Sequence, residues 1–166
     1  MRKLSFIVPV AVVLIALLMS TVFIVDERNK ALVLQFGRVV AVKEDPGLAF
    51  KIPFIQEVVF YDDRILSRDV DPLEVTPLDD RRLVVDAFTR YRITDVNQFR
   101  EAVGTGGVQV AESRLDSILK SEMREVLGSV SSNDILSSDR AVLMSRIRNA
   151  AIEKALPLGI EVVDVR

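Results

Sequence analysis

From Leu4 to Val25 the chain reads LSFIVPVAVVLIALLMSTVFIV without one charged residue, and no other feature constrains the fold as strongly. As a helix rising about 1.5 Å per residue, this run would be roughly 33 Å long, enough for a hydrocarbon core of about 30 Å. A single transmembrane helix over residues 4–25 is therefore expected, with Leu4 and Val25 as its membrane-contacting ends. A cleaved signal peptide fits less well, because its apolar core usually runs about 7–15 residues and ends in an Ala-x-Ala-like site. Pro9 removes one backbone hydrogen bond, a loss that membrane helices tolerate, and a re-entrant hairpin is the lesser alternative. Positive charges flank the run on both sides, Arg2 and Lys3 before it and Arg28, Lys30, Arg38 and Lys43 after it. Charge counting leaves the orientation open.

The remainder reads as a water-exposed domain. The chain has neither cysteine nor histidine, which removes thiol nucleophiles, disulfides, imidazole bases and nearly every zinc site at once. A net charge of -2 without a long basic run gives no electrostatic footprint for nucleic acid.

Periodicity divides this remainder near Asp95. Before it, KALVLQF and VVAVKE form a hairpin pattern around Gly37-Arg38, followed by EVVFYDD and a pair of strands within LEVTPLDDRRLVVDAFTRYRI, turned at Pro77 to Asp80. In the last strand Val85, Ala87, Thr89, Tyr91 and Ile93 share one face, opposite Asp86, Arg90, Arg92 and Phe88. One dry face and one wet face indicate an antiparallel sheet. After Asp95, a stripe of Ala111, Leu115, Ile118, Leu119, Met123, Val126 and Leu127 predicts an amphipathic helix from Val108 to about Gly128. A second helix is expected after Ser137-Ser138-Asp139, through Leu143, Ile147 and Ala151, stopping around Pro157-Leu158-Gly159. GIEVVDVR then alternates as a strand. The fold class is α+β, with helices on a mostly antiparallel sheet.

Phe50, Ile52 and Phe54 recur at period two with Lys51 among them, while Pro53 restricts the segment to an edge strand or a loop. Core packing is one reading; the other is a surface that dips into a membrane interface with Lys51 reaching headgroups. Other motifs carry less. GTGG at residues 104–107 lacks a Walker lysine and reads as a turn into the helix. Asp62, Asp63, Asp69, Asp71, Asp79 and Asp80 do not follow calcium-loop spacing. Ser121 or Ser145 with Lys120 or Lys154 would need a tertiary contact to form a catalytic dyad.

The stretches ALVLQFGRVV (31–40), PGLAFKIPFIQEV (46–58), DRRLVVDAFTRYRITD (80–95), LKSEMREVLG (119–128) and GIEVVDVR (159–166) follow the apolar segment in order. This ordered set resembles the SPFH (Band 7) family of stomatins, prohibitins and flotillins over essentially the whole chain. The resemblance implies a non-enzymatic membrane scaffold without cofactor, metal or catalytic residues. It implies a short cytoplasmic stretch (1–3), a transmembrane helix (4–25), a strand-rich membrane-proximal half (26–95) and a helical half ending in a strand (96–166), the last two in the periplasm of the bacterial inner membrane. The bacterial branch most similar to this chain further implies a related paralogue, a membrane-bound AAA protease, membrane lipid and a large hetero-oligomeric cage. Phe50, Ile52 and Phe54 would touch lipid. Family members continue into a coiled-coil arm, and no sustained heptad pattern is found here, so that arm is expected to be absent from this chain. The rival readings are an organiser of membrane microdomains without a protease and, less favoured, a membrane-anchored serine hydrolase.

Overall fold

The computed structural model describes residues 4–137 and 140–166, with the side chains of residues 4–11 and 13 outside that description. By its internal contacts the chain divides into two compact units, Met1–Asp63 and Arg64–Arg166.

The first unit contains helix α1 (Leu4–Thr21) and strands β1 (Val22–Val25), β2 (Asn29–Gln35), β3 (Arg38–Lys43), β4 (Gly47–Phe50) and β5 (Gln56–Asp62). They form a two-stranded sheet β1-β4 and a three-stranded sheet β3-β2-β5, antiparallel throughout. The expected hairpin is β2–β3, closed by the two-residue turn Phe36-Gly37 between paired Gln35 and Arg38. In the central strand β2, Ala31 to Leu34 are all buried. That strand is dry on both faces, so the sequence shows a continuous apolar run there instead of clean alternation.

The first helix departs from expectation. Helix α1 ends at Thr21, and Val22–Val25, anticipated as its last turn, leaves as β1 and pairs with β4. The physical reason lies in the local sequence. Val-Phe-Ile-Val is β-branched and aromatic and prefers a pleated surface, while Thr21 donates its hydroxyl back to the Leu17 carbonyl at 2.9 Å. The Thr21 carbonyl, one of those a helix end leaves unpaired, accepts the Lys51 amide at 2.7 Å. Pro9 falls inside α1 without ending it. Among the described residues no helix is long and apolar enough to cross a membrane; the 18 residues of α1 span about 27 Å, against a hydrocarbon core of about 30 Å.

The second unit holds β6 (Leu66–Val75), β7 (Leu83–Ile93), α2 (Val96–Val103), α3 (Gly107–Gly128), α4 (Ser132–Leu136), α5 (Arg140–Ala155) and β8 (Ile160–Val165). Its sheet runs β6-β7-β8, antiparallel at both junctions. The β7 alternation holds: Ala87, Thr89, Tyr91 and Ile93 are buried, while Asp86 and Arg90 are exposed. Leu115, Leu119, Met123 and Leu127 of α3 and Ile147 of α5 close the core over Tyr91 and Phe99. The composition boundary near Asp95 and the division at Asp63 are different features, because β6 and β7 precede the former yet share a sheet with β8.

Helix α2 had no counterpart in the expected elements. Asp95 caps it, its carboxylate accepting from the amides of Asn97 and Gln98 at 2.9 Å each, and Val96, Phe99 and Val103 bury one face. Gly159 lies against this cap. Its φ is +69°, and a Cβ there would stand 2.5 Å from the Asp95 carbonyl and 2.7 Å from the Phe99 nitrogen. Only glycine meets both conditions.

Candidate membrane-contact surface

In the β1–β4 ribbon, Val22 faces Phe50, Phe23 faces Ala49, Ile24 faces Leu48 and Val25 faces Gly47. Alternation then sorts the side chains into two faces. Val25 and Ala49 turn inward, join Ala31 in a small core and are covered by Phe23 and Val58. The Phe23 ring meets Phe60 edge-on, with centroids 6.3 Å apart. Val22, Ile24, Leu48 and Phe50 turn outward, and the last three are about 70% exposed. A ribbon attached directly to an apolar helix thus presents an apolar outer face.

A second exposed surface lies at one end of the β3-β2-β5 sheet. Pro53 lacks an amide donor, and the chain from Lys51 to Ile55 leaves the strand to form a closed loop. Gln56 holds that loop: its amide donates to the Ile52 carbonyl at 3.0 Å, and its side-chain oxygen accepts the Ile52 amide at 2.8 Å. Phe54 sits at the loop tip with φ +66° and 93% exposure. Phe36, in the β2–β3 turn, has φ +49° and 85% exposure. Both phenylalanines line one cleft with Lys51 and Ile55. The left-handed region costs a bulky residue about 1 kcal/mol or more, and a turn of this kind usually places Asn, Asp or Gly where Phe36 stands. Two aromatic rings are therefore held out of the core at a conformational cost.

Of the residues expected to contact membrane, Phe50, Ile52 and Phe54 are exposed, Phe50 on the ribbon and the other two on the loop. Leu4 opens α1, and its side chain lies outside the described residues. Val25, the other expected end of the span, is 2% exposed and belongs to the inward face of β1. Ile24 falls inside the apolar run expected to meet the membrane, whereas sequence reasoning did not single out Leu48 or Phe36. The β-branched run after Ser20-Thr21 signals the ribbon, and the Phe-Gly pair between two apolar strands signals the turn.

The remaining motifs resolve into structural contacts. GTGG forms a 3-10 turn and the first residue of α3, with φ +65° at Gly104 and +62° at Gly107. Among the six aspartates, Asp63 pairs with Lys30 at 3.0 Å, Asp71 with Lys120 at 3.2 Å, and Asp79 with the Ser132 hydroxyl. Among the described residues no group of three or more carboxylates could hold a metal ion. Among the described residues no hydrogen bond joins Ser121 or Ser145 to Lys120 or Lys154. Lys120 goes to Asp71, Lys154 to the buried Glu122, and Ser145 donates to the Ala141 carbonyl. The Glu122 carboxylate, as hydrogen-bond acceptor and counter-charge, raises the Lys154 ammonium above its ordinary range, away from a neutral base.

Polar contacts also clamp α3 to the sheet. The Tyr91 hydroxyl donates to Glu112 at 2.7 Å, and Arg68 reaches Asp116 at 3.2 Å. Burial first, and then the Glu112 contact, push the tyrosine hydroxyl well above its usual range. Arg68 is raised by its hydrogen bond to Asp116 and by that carboxylate's charge. Both groups keep their protons at physiological pH.

An antiparallel ribbon and sheet followed by a sheet carrying packed helices describes a class of α+β domain already met in the sequence motifs. The SPFH domain / Band 7 family matches residues 23–166, and the chain belongs to that family. Among its curated relatives, the chain is 33% identical to Modulator of FtsH protease HflC of Escherichia coli (strain K12), covering 90% of this chain and 46% of that protein. It is 30% identical to Protein HflC of Haemophilus influenzae, covering 97% of this chain and 58% of the relative. It is 32% identical to Protein HflC of Buchnera aphidicola subsp. Acyrthosiphon pisum, covering 93% and 56%. The chain spans about half the length of the curated relatives it matches.

Proposed function

We propose that this chain is the anchor and SPFH domain of an HflC-like, non-enzymatic membrane scaffold that regulates a membrane AAA protease resembling FtsH. In this reading it alternates with an HflK-like paralogue in a large cage around the protease and limits which membrane substrates reach it. Enclosure needs surfaces and a fixed subunit symmetry instead of a catalytic centre. The observation that carries the reading is the family match across residues 23–166, joined to the E. coli relative's printed role as a modulator of FtsH protease. The proposal extends to topology: residues 1–3 in the cytoplasm, α1 in the bacterial inner membrane and the SPFH domain in the periplasm. Ser20, Thr21 and the outward face of β1 and β4 would complete the anchor at the interface, since short helices are accommodated by bilayer thinning and flanking residues.

The test is isolation of the natural full-length protein from its own membranes in mild detergent, with mass spectrometry of its companions and the mass of the particle. Co-purification of an HflK-like protein and an AAA protease in a megadalton-scale particle is expected. The exposed apolar residues of the first unit favour one second reading, a stomatin-like or prohibitin-like organiser of membrane microdomains. Recovery of a homo-oligomer with lipid and no protease would establish that alternative. A serine-reactive phosphonate probe is expected to leave the protein unlabelled; stoichiometric labelling would replace both scaffolds with a hydrolase.

A further inference from the structure

The geometry points to a headgroup site for an anionic phospholipid in the cleft between Phe36 and Phe54, with Lys51 on the phosphate and both phenyl rings among the acyl chains. The inference rests on the membrane-facing reading above and adds two things to it: a second inserted aromatic residue, and the charge class of the lipid.

The cleft has a volume of about 370 Å³ and is lined by Leu34, Phe36, Lys51, Phe54, Ile55, Gln56 and Glu57, with Gly37 at the turn. Lys51 is its cation and has no ion-pair partner among the described residues. An ammonium on a flexible stem between apolar walls matches a phosphate at the level where acyl chains begin. Glu57 is the opposing charge in the lining and makes the expected preference for anions moderate. The rings are supplied by two separate turns, each set in left-handed backbone, with φ +49° at Phe36 and +66° at Phe54. Neither ring is needed to fill the core, because both are exposed. Strain retained at two points bordering one cleft is a mark of a site more than of packing.

Lipid, in preference to a protein groove-filler, follows from the backbone. The Lys51 amide donates to the Thr21 carbonyl at the carboxy-terminal end of α1, so the cationic residue of the cleft is one hydrogen bond from the end of the apolar helix. If α1 is in the bilayer, Lys51 lies where headgroups begin.

The chain contains no tryptophan, so Phe36→Trp and Phe54→Trp each install a sole reporter. The full chain carrying either change is reconstituted into vesicles of phosphatidylcholine alone, or of phosphatidylcholine with phosphatidylglycerol, in both cases with lipids brominated on their acyl chains. Both reporters are expected to shift to the blue and be quenched, more strongly with phosphatidylglycerol. Lys51→Gln in either background should lower that preference about five-fold, and Glu57→Gln should raise it. Circular dichroism of each variant confirms that the fold is kept. If Phe54→Trp is quenched and Phe36→Trp is not, or if the two lipids give equal responses, the headgroup site is overturned while the membrane-facing reading stands. If neither reporter is quenched, both fail. Inorganic phosphate added to the detergent-solubilised chain should leave emission unchanged, and a shift there would overturn the lipid assignment in favour of free anion.

Discussion

The two units of this chain differ in what they do with their large aromatic side chains: phenylalanines stand exposed in the first, while Tyr91 and Phe99 are buried in the second. In Arg64–Arg166, Tyr91, Phe99, Leu115, Leu119, Met123, Leu127 and Ile147 are buried almost completely, and charged pairs such as Arg68–Asp116 and Lys154–Glu122 fasten α3 to its neighbours. In Met1–Asp63 a small core joins Val25, Ala31 and Ala49, and Leu32, Leu34 and Tyr61 are buried, while Phe36, Leu48, Phe50 and Phe54 face outward. Burying a large apolar side chain stabilises a domain by about 1.5–3 kcal/mol, so leaving several exposed withholds that stabilisation from the first unit. Isolated exposed apolar residues need no explanation, but groups of them mark interaction surfaces. The second unit hides large side chains under α3 and α5, and the first leaves a group of large apolar side chains exposed.

The largest effect is expected where the core is tightest. Leu119→Ala removes a fully buried side chain and should lower stability by about 3 kcal/mol, measured by urea denaturation of the solubilised chain. Gly159→Ala should cost a comparable amount, because its Cβ would strike the backbone of Asp95 and Phe99 in a conformation that alanine disfavours. A cost below about 1 kcal/mol at both positions would remove the contrast between the units.

Charge placed on the first unit's surface should read out in binding. Phe50→Asp with Phe54→Asp is expected to weaken vesicle association about ten-fold or more, since two exposed apolar contacts are replaced by carboxylates, with urea stability little changed. Flotation with vesicles of the folded double variant, made in residues 22–166 so that α1 does not itself hold the protein to lipid, is the measurement, and undiminished flotation would defeat the membrane assignment of Phe50 and Phe54. Phe54→Gly sharpens the comparison by inverting the sign. At φ +66° glycine relieves strain, so stability should rise by up to about 1 kcal/mol while vesicle association falls.

How much of this was legible in sequence follows the same division. The β7 alternation and the α3 stripe announce themselves because one face is buried and the other wet, and their periods survive intact in the structure. Helix α2 was missed because eight residues ending at Val103 give barely two turns of pattern; Asp95 as a cap with Val96, Phe99 and Val103 following was the available signal. The apolar stretch at the start hides its own boundary. From Leu4 to Val25 there is no polar face whose period could change, so the switch from α1 to β1 at Thr21 leaves only a rise in β-branched content. Phe50, Ile52 and Phe54 stood out by spacing, whereas Phe36 depends on a turn that brings it to Phe54's cleft, and tertiary proximity has no local signature.

The smallest expected effect is a pH dependence in the second unit. The Ser132 hydroxyl, and to a lesser degree its amide and Arg81, hold the Asp79 carboxyl below its ordinary value of 3.8 against an opposing contribution from burial. A folded pKa below the unfolded one means that the unfolded chain takes up the proton first as pH falls. The stabilisation is therefore complete above the unfolded value and is lost as pH falls from there through the folded one. Because the carboxylate is partly exposed, solvent screening keeps the contribution small. Asp79→Asn should lower stability slightly at neutral pH and flatten this part of the acid limb, so that wild type and variant converge in urea denaturation as pH falls below the folded pKa. A difference that stayed constant between neutral and acid pH would assign Asp79 to hydrogen-bond geometry alone.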